Sequence, residues 1–107
     1  MTYLRGYNSL EIRETDTYAR WFAKLRNRQA KVRVLARIRR LSLGNPGVVT
    51  PVGEGVSELK IDYGPGYRIY TARTGRNEVT LLVGGDKRSQ KRDIELAKAL
   101  YRALRSP

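Results

Sequence analysis

The sequence predicts an α+β fold: a small antiparallel sheet carrying an N-terminal helical hairpin and a C-terminal helix, in the order β-α-α-β-β-β-α. Two observations lead there. Apolar residues recur every three to four positions within residues 18–41 and 94–104, but at every second position within residues 59–83. Glycine-rich breaks at residues 44–47, 64–66 and 84–85 separate these stretches.

Each element has its own signal. Leu10 and Ile12 share one side of a short strand over residues 10–14. Thr15 and Asp16 offer an N-cap for a helix beginning near Thr17, in which Tyr18, Trp21, Phe22 and Leu25 fall on one face and read as core. Asn27 can cap a second helix, with Val34, Leu35, Ile38 and Leu41 as its apolar stripe and arginines over the rest. The Gly-Asn-Pro-Gly run at residues 44–47 stops it. Leu59 and Ile61 then alternate with Glu58, Lys60 and Asp62, and Tyr67, Ile69 and Thr71 alternate with Arg68, Tyr70 and Ala72. A polar turn at residues 74–77 leads to Val79, Leu81 and Val83, completing a three-stranded meander. The last helix is expected from Ser89 or Gln90 to Arg105, with Ile94, Ala97, Leu100, Tyr101 and Leu104 apolar.

Register matters because a strand's side chains alternate between faces. With Gly64-Pro65-Gly66 as a three-residue loop, Ile61 opposes Ile69 and Leu59 opposes Thr71. On the other face Asp62 then opposes Arg68 and Lys60 opposes Tyr70. Lys60, Asp62, Arg68 and Tyr70 are thereby expected on a polar platform, followed in sequence by Lys87, Arg88, Lys91 and Arg92.

A chain of 107 residues is expected to form one domain, residues 1–107. Its 40% hydrophobic content is too high for a disordered tail. Residues 1–10 lack a signal peptide's hydrophobic stretch, and no apolar run is long enough to cross a bilayer. The expected compartment is the cytoplasm. Without cysteine or histidine, disulfides, thiolate metal sites, Cys nucleophiles and the commonest general base are all excluded, and no cofactor is expected.

Charge is the strongest compositional signal. Twenty-two Lys and Arg against ten Asp and Glu give a formal net charge of +12. Self-repulsion at that density disfavours a compact chain, so a polyanionic partner is expected: nucleic acid, or an acidic protein that mimics it. A solvated helix face and an anionic membrane are the competing explanations. No acidic residue occurs between Asp16 and Glu54, a stretch that includes Arg33, Arg37 and Arg40. These three are the candidate contacts for an acidic protein partner.

The segments Glu58-Leu59-Lys60, Tyr63-Gly64-Pro65-Gly66-Tyr67-Arg68-Ile69-Tyr70 and Gly84-Gly85-Asp86-Lys87-Arg88 resemble the HigB-like "addiction module killer protein" branch of the RelE/ParE toxin superfamily. The resemblance runs from about Leu10 to Leu104. It implies a RelE-like fold and the toxin of a type II toxin–antitoxin pair, silenced by a cognate antitoxin that is expected to be a helix-turn-helix DNA-binding protein. The superfamily contains ribosome-dependent mRNA endonucleases and inhibitors of DNA gyrase on one fold, so fold does not choose the target. The leading expectation is an endonuclease acting on mRNA at the ribosome. A gyrase inhibitor and a non-toxic nucleic-acid-binding domain are the alternatives.

Metal-free RNA cleavage needs a base for the 2′-hydroxyl, cations for the phosphorane and an acid for the 5′-oxygen. Crowding by other cations favours a neutral lysine amine, which makes Lys60 the candidate base. Arg68 suits phosphate clamping through its planar fork, and the resemblance points to the same strand arginine. By resemblance, one of Lys87 and Arg88 serves as acid or charge stabiliser. Lys91 and Arg92 are candidate RNA contacts, and Tyr70 either stacks on a base or covers the sheet. In the bland alternative, Lys60 and Arg68 pair with Glu58 and Asp62 across the hairpin. RNA-cleaving relatives often carry a tyrosine or histidine near the last helix. Here Arg92, Asp93 and Ile94 hold its early positions and Tyr101 falls on the apolar side, so the chemistry would rest on Lys and Arg.

Overall fold

A computed structural model describes residues 9–107. The reading of residues 1–10 as lacking a leader therefore falls, except for Ser9 and Leu10, outside the described residues. Strand β1 (Glu11–Glu14) leads into helix α1 (Asp16–Lys24) and helix α2 (Arg28–Ser42). Four strands follow, β2 (Thr50–Gly53), β3 (Val56–Ile61), β4 (Tyr67–Gly75) and β5 (Glu78–Gly85), then a 3-10 turn at Lys87–Ser89 and helix α3 (Gln90–Arg105). The order is β-α-α-β-β-β-β-α, one strand richer than expected. Thr50–Gly53 carries two of the chain's poorest strand formers, Pro51 and Gly53, and survives as an edge, where a missing N–H costs nothing.

The strands form one sheet in the order β1-β5-β4-β3-β2. All neighbours are antiparallel except β1, which runs parallel to β5 with Glu11 beside Glu78. The sheet is thus mixed, because β1 reaches β5 only after the two helices have turned the chain back over one face. The helix caps act as their residue types dictate. The Thr15 hydroxyl accepts from the Tyr18 N–H at 3.0 Å, and the Asn27 side chain accepts from the Ala30 N–H at 3.0 Å.

Two apolar clusters lie on opposite faces of the sheet. Under α1 and α2, Tyr18, Val34 and Leu41 pack on Leu59, Ile61, Ile69, Val79 and Leu81. Under α3, Ala97 with Ile94, Leu100 and Tyr101 packs on Val56, Tyr70, Ala72, Leu82 and Val83. Leu35 is 54% exposed instead of joining the stripe of α2, and Ala30 takes its place one helical turn before Val34.

The β3–β4 register differs from the expected one by two residues. Ile61 lies beside Tyr67, Lys60 beside Arg68, Leu59 beside Ile69 and Glu58 beside Tyr70. The turn is wider than Gly64-Pro65-Gly66: Tyr63 N–H donates to Ile61 O at 2.9 Å and Gly66 N–H to Tyr63 O at 3.0 Å, so Asp62 and Tyr63 leave the ladder. A two-residue shift preserves the faces, so Ile61 and Ile69 still point toward α1 and α2. It changes every polar neighbour.

A second irregularity sets up the site. In β5, Val83 pairs with Tyr70 but Leu81 pairs with Thr71, leaving Leu82 as the extra residue of a bulge. The bulge puts Leu82 and Val83 on the same face and reverses the alternation beyond them. Gly84 then faces α1 and Gly85 faces α3. A Cβ on Gly84 would collide with the Trp21 ring, and one on Gly85 with the Asp93 carboxylate. Both helices use a glycine to press against the same strand end.

Candidate phosphate cleft and nucleic-acid surface

The end of the β3–β4–β5 meander meets the start of α3 through a fixed turn. Asp86 caps it: its carboxylate accepts from the Arg88 N–H at 2.9 Å, and Ser89 lies within 3.4 Å of the Asp86 N–H in a reciprocal capping box. Burial raises the Asp86 pKa, but hydrogen bonds from the Arg88 side chain and backbone outweigh it and leave the carboxyl below its ordinary value. Ser89 also donates to the Asp93 carboxylate at 2.5 Å. These bonds orient Lys87 and Arg88 on opposite sides of the turn.

A cleft of about 370 Å³ opens on the Lys87 side, lined by Lys60, Asp62, Arg68, Lys87 and the 63–66 turn. Three of the four residues expected to handle phosphate line it together. Arg88 does not. Its guanidinium pairs with Asp86 at 3.2 Å, and it lines a separate cleft with Trp21, Lys91 and Arg92. The choice between Lys87 and Arg88, open in the sequence, becomes geometric: only Lys87 shares walls with Lys60 and Arg68.

Arg68 is not the exposed mid-strand arginine of the expected platform; it is only 6% exposed. Its Nη1 donates to Gly66 O at 2.8 Å, and its Nε lies 3.6 Å from the Glu58 carboxylate without a hydrogen bond. Gln90, at the start of α3, donates to that same carboxylate at 2.9 Å. The bland alternative named Glu58 and Asp62 as partners of Lys60 and Arg68, and both ion pairs occur. Sequence patterning missed Gln90, because a polar residue in a first helical turn reads as solvated. Lys60 is exposed, and its Nζ sits 3.4 Å from Asp62. The cationic crowding expected at Lys60 thus meets a carboxylate.

Tyr70 is not a surface residue. It is fully buried under α3, so it covers the sheet and offers no face to a base. Burial pushes its phenol pKa well up, and Glu58 adds to the effect, although the hydroxyl has no hydrogen-bond partner of good geometry. The expected platform therefore shrinks to its open end, around Lys60, Arg68 and Lys87. Lys91 and Arg92 are exposed, as an RNA contact requires.

The three arginines of α2 divide as well. Arg37 donates to Pro46 O and, at 2.7 Å, to Val48 O, which fastens the loop after α2. Burial and the nearby Arg40 lower its pKa. Arg37 is thus partly committed to holding this loop. Arg40 is exposed, and Arg33 is exposed with its guanidinium 4.6 Å above the Tyr63 ring. Among the described residues, no helix is long and apolar enough to cross a membrane.

Comparison with known proteins finds a protein of Haemophilus influenzae, described as uncharacterised, that is 44% identical over 96 residues, covering 90% of this chain and 97% of the relative. No solved structure matches the chain. Residues 20–102, from the middle of α1 to near the end of α3, match the family described as phage-derived protein Gp49-like (DUF891), and the chain belongs to that family, which is associated with addiction-module toxins.

Proposed function

We propose that this protein is the toxin of a type II toxin–antitoxin pair and a ribosome-dependent mRNA endonuclease. The observation that carries the reading is the convergence of Lys60, Arg68 and Lys87 on one open cleft beside a glycine turn. Three cations, with Asp62 beside Lys60, around an open cleft suit a reaction whose transition state gathers negative charge. The 2′-oxygen of a ribose attacks the adjacent phosphorus, a 2′,3′-cyclic phosphate forms and the 5′-oxygen leaves with a proton. Arg68, held by Gly66 O, grips the phosphate; Lys60 passes a proton to the neighbouring Asp62 carboxylate and takes up that of the 2′-hydroxyl; Lys87 protonates the leaving oxygen. RelE-like cleavage by Lys and Arg alone is the form of the chemistry that a chain without histidine allows.

The cognate antitoxin engages the outer face of α2. There Val32 and Leu35, each 54% exposed, share a helical stripe with Arg28 and Arg39, and Arg40 lies beside it. An amphipathic acidic segment complements such a face in both charge and apolar area.

Primer extension on mRNA from cells expressing the protein tests the activity. Discrete, ribosome-dependent 5′ ends that disappear in Lys87→Ala are expected. Intact transcripts during growth arrest, with DNA breaks in their place, would overturn the endonuclease reading in favour of gyrase inhibition. For the antitoxin face, Leu35→Glu should weaken neutralisation while leaving growth inhibition intact, and unchanged neutralisation would exclude that face.

A further inference from the structure

A second, larger cleft lies apart from the one with the three cations. It holds about 830 Å³ and lies on the other side of the 86–89 turn, between α1 and the start of α3. Its floor is Gly84-Gly85, and one wall is the ring of Trp21, the single tryptophan of the chain. As the sequence predicts, Trp21 packs against the core under α1 and α2, with Tyr18 at 5.6 Å between centroids. It is only half-buried there, pressed on Gly84 and packed edgewise against Tyr67 at 6.3 Å. The indole is thereby fixed at the back of an open cleft.

Charge narrows what fits. The cations Arg88, Lys91 and Arg92 are matched in number by the carboxylates of Asp86, Asp93 and Glu95. Such a lining does not collect a phosphate by net charge. It suits a flat, uncharged ring whose edge carries both donors and acceptors and whose flank is a phosphate.

We infer that the Trp21 cleft is a base-stacking subsite for single-stranded RNA, in which one nucleobase lies on the indole while its neighbouring phosphate sits across the 86–89 turn beside Lys87. The inference rests on the endonuclease reading for the identity of the strand, and it adds the residue that seats it. Base–aromatic stacking tolerates any base, so the subsite positions the strand without choosing a sequence. Lys91 and Arg92, with no described partner, flank the strand at the rim.

Because Trp21 is the only tryptophan, fluorescence excited selectively at tryptophan reports on this cleft. The probe is a 2′-O-methyl hexaadenylate, which carries bases and phosphates but cannot be cleaved because its 2′-oxygen is blocked. Saturable quenching by this oligomer, and none by an abasic hexamer of equal charge, is expected. Trp21→Leu should weaken binding of the labelled oligomer roughly 5- to 100-fold by anisotropy. Trp21→Phe, which keeps an aromatic wall and guards against misfolding, should lose far less. Equal quenching by the abasic oligomer, or by an acidic peptide in competition with RNA, would overturn the inference and assign the cleft to a charged or protein ligand. Absence of quenching would also overturn it. Base-dependent quenching without any mRNA cleavage in cells would leave the subsite standing and remove the nuclease reading. Cleavage without base-dependent quenching would do the reverse.

Discussion

Arg68 and Glu58 sit on adjacent strands with their charged groups 3.6 Å apart and their side chains 8% and 9% exposed. The pair joins β3 to β4 at the base of the cleft, and Gln90 ties it to α3.

Arg68→Ala is therefore expected to do more than remove a phosphate contact. It strands a buried carboxylate, a loss on the order of 3–5 kcal/mol. Adding Glu58→Gln to Arg68→Ala should restore part of that stability without restoring cleavage. Chemical denaturation of the three proteins checks this. A single mutant as stable as the wild type would show that the pair contributes nothing.

Lys87→Ala gives the cleaner mechanistic test, because Lys87 is exposed and has no described ion-pair partner. Its loss should slow cleavage by roughly 10²–10³-fold with little change in melting temperature. Arg88→Ala should leave the rate of the bond-breaking step near wild type, since Arg88 lines the other cleft. Single-turnover cleavage assays separate the two, and equal losses would contradict the division of the turn.

Tyr70→Phe removes a buried hydroxyl that has no well-placed partner, so stability should hold or rise slightly. Tyr70→Ala should cost about 3–5 kcal/mol through the cavity it leaves under α3. RNA affinity of the folded Phe variant should equal that of the wild type. A marked affinity loss with intact stability would return Tyr70 to the binding surface.

Asp86 gives a pH signature. Its folded pKa lies below the ordinary 3.8, so its contribution is complete above that value and disappears as pH falls through the lower, folded value. The stability gap between wild type and Asp86→Asn should be open at neutral pH and close in strong acid. Urea midpoints at both extremes measure it. A gap independent of pH would mean that the cap does not act through its charge.

Much of the fold was legible because its signals are local. Thr15 and Asn27 cap where their side chains allow, and the change of apolar period marks where helix gives way to sheet. β2 was invisible, since Pro51 and Gly53 argue against a strand that only edge pairing rescues. The two-residue register error came from reading a tight glycine loop where Tyr63 closes a wider one. At the site, charge and resemblance point to Lys60, Arg68 and Lys87, but not to the burial of Arg68. Alternation tells which face a residue takes, not what covers it, and α3 arrives from later in the chain to cover Tyr70 while leaving Lys60 open. The core packing of Trp21 was legible from its apolar spacing, but not that its other side backs a cleft.

The parallel pairing of β1 with β5 has a consequence for the order of assembly. The Thr15 hydroxyl donates to Leu82 O across 67 residues of chain, whereas β3, β4 and β5 join through short turns. Closing a long loop costs more entropy than closing a hairpin, so the meander forms early and the first strand docks late. During synthesis, α1 and α2 emerge before the surface they cover exists. The nascent chain holds the apolar face of its most cationic segment uncovered until the sheet that receives it, completed by β5, has been made.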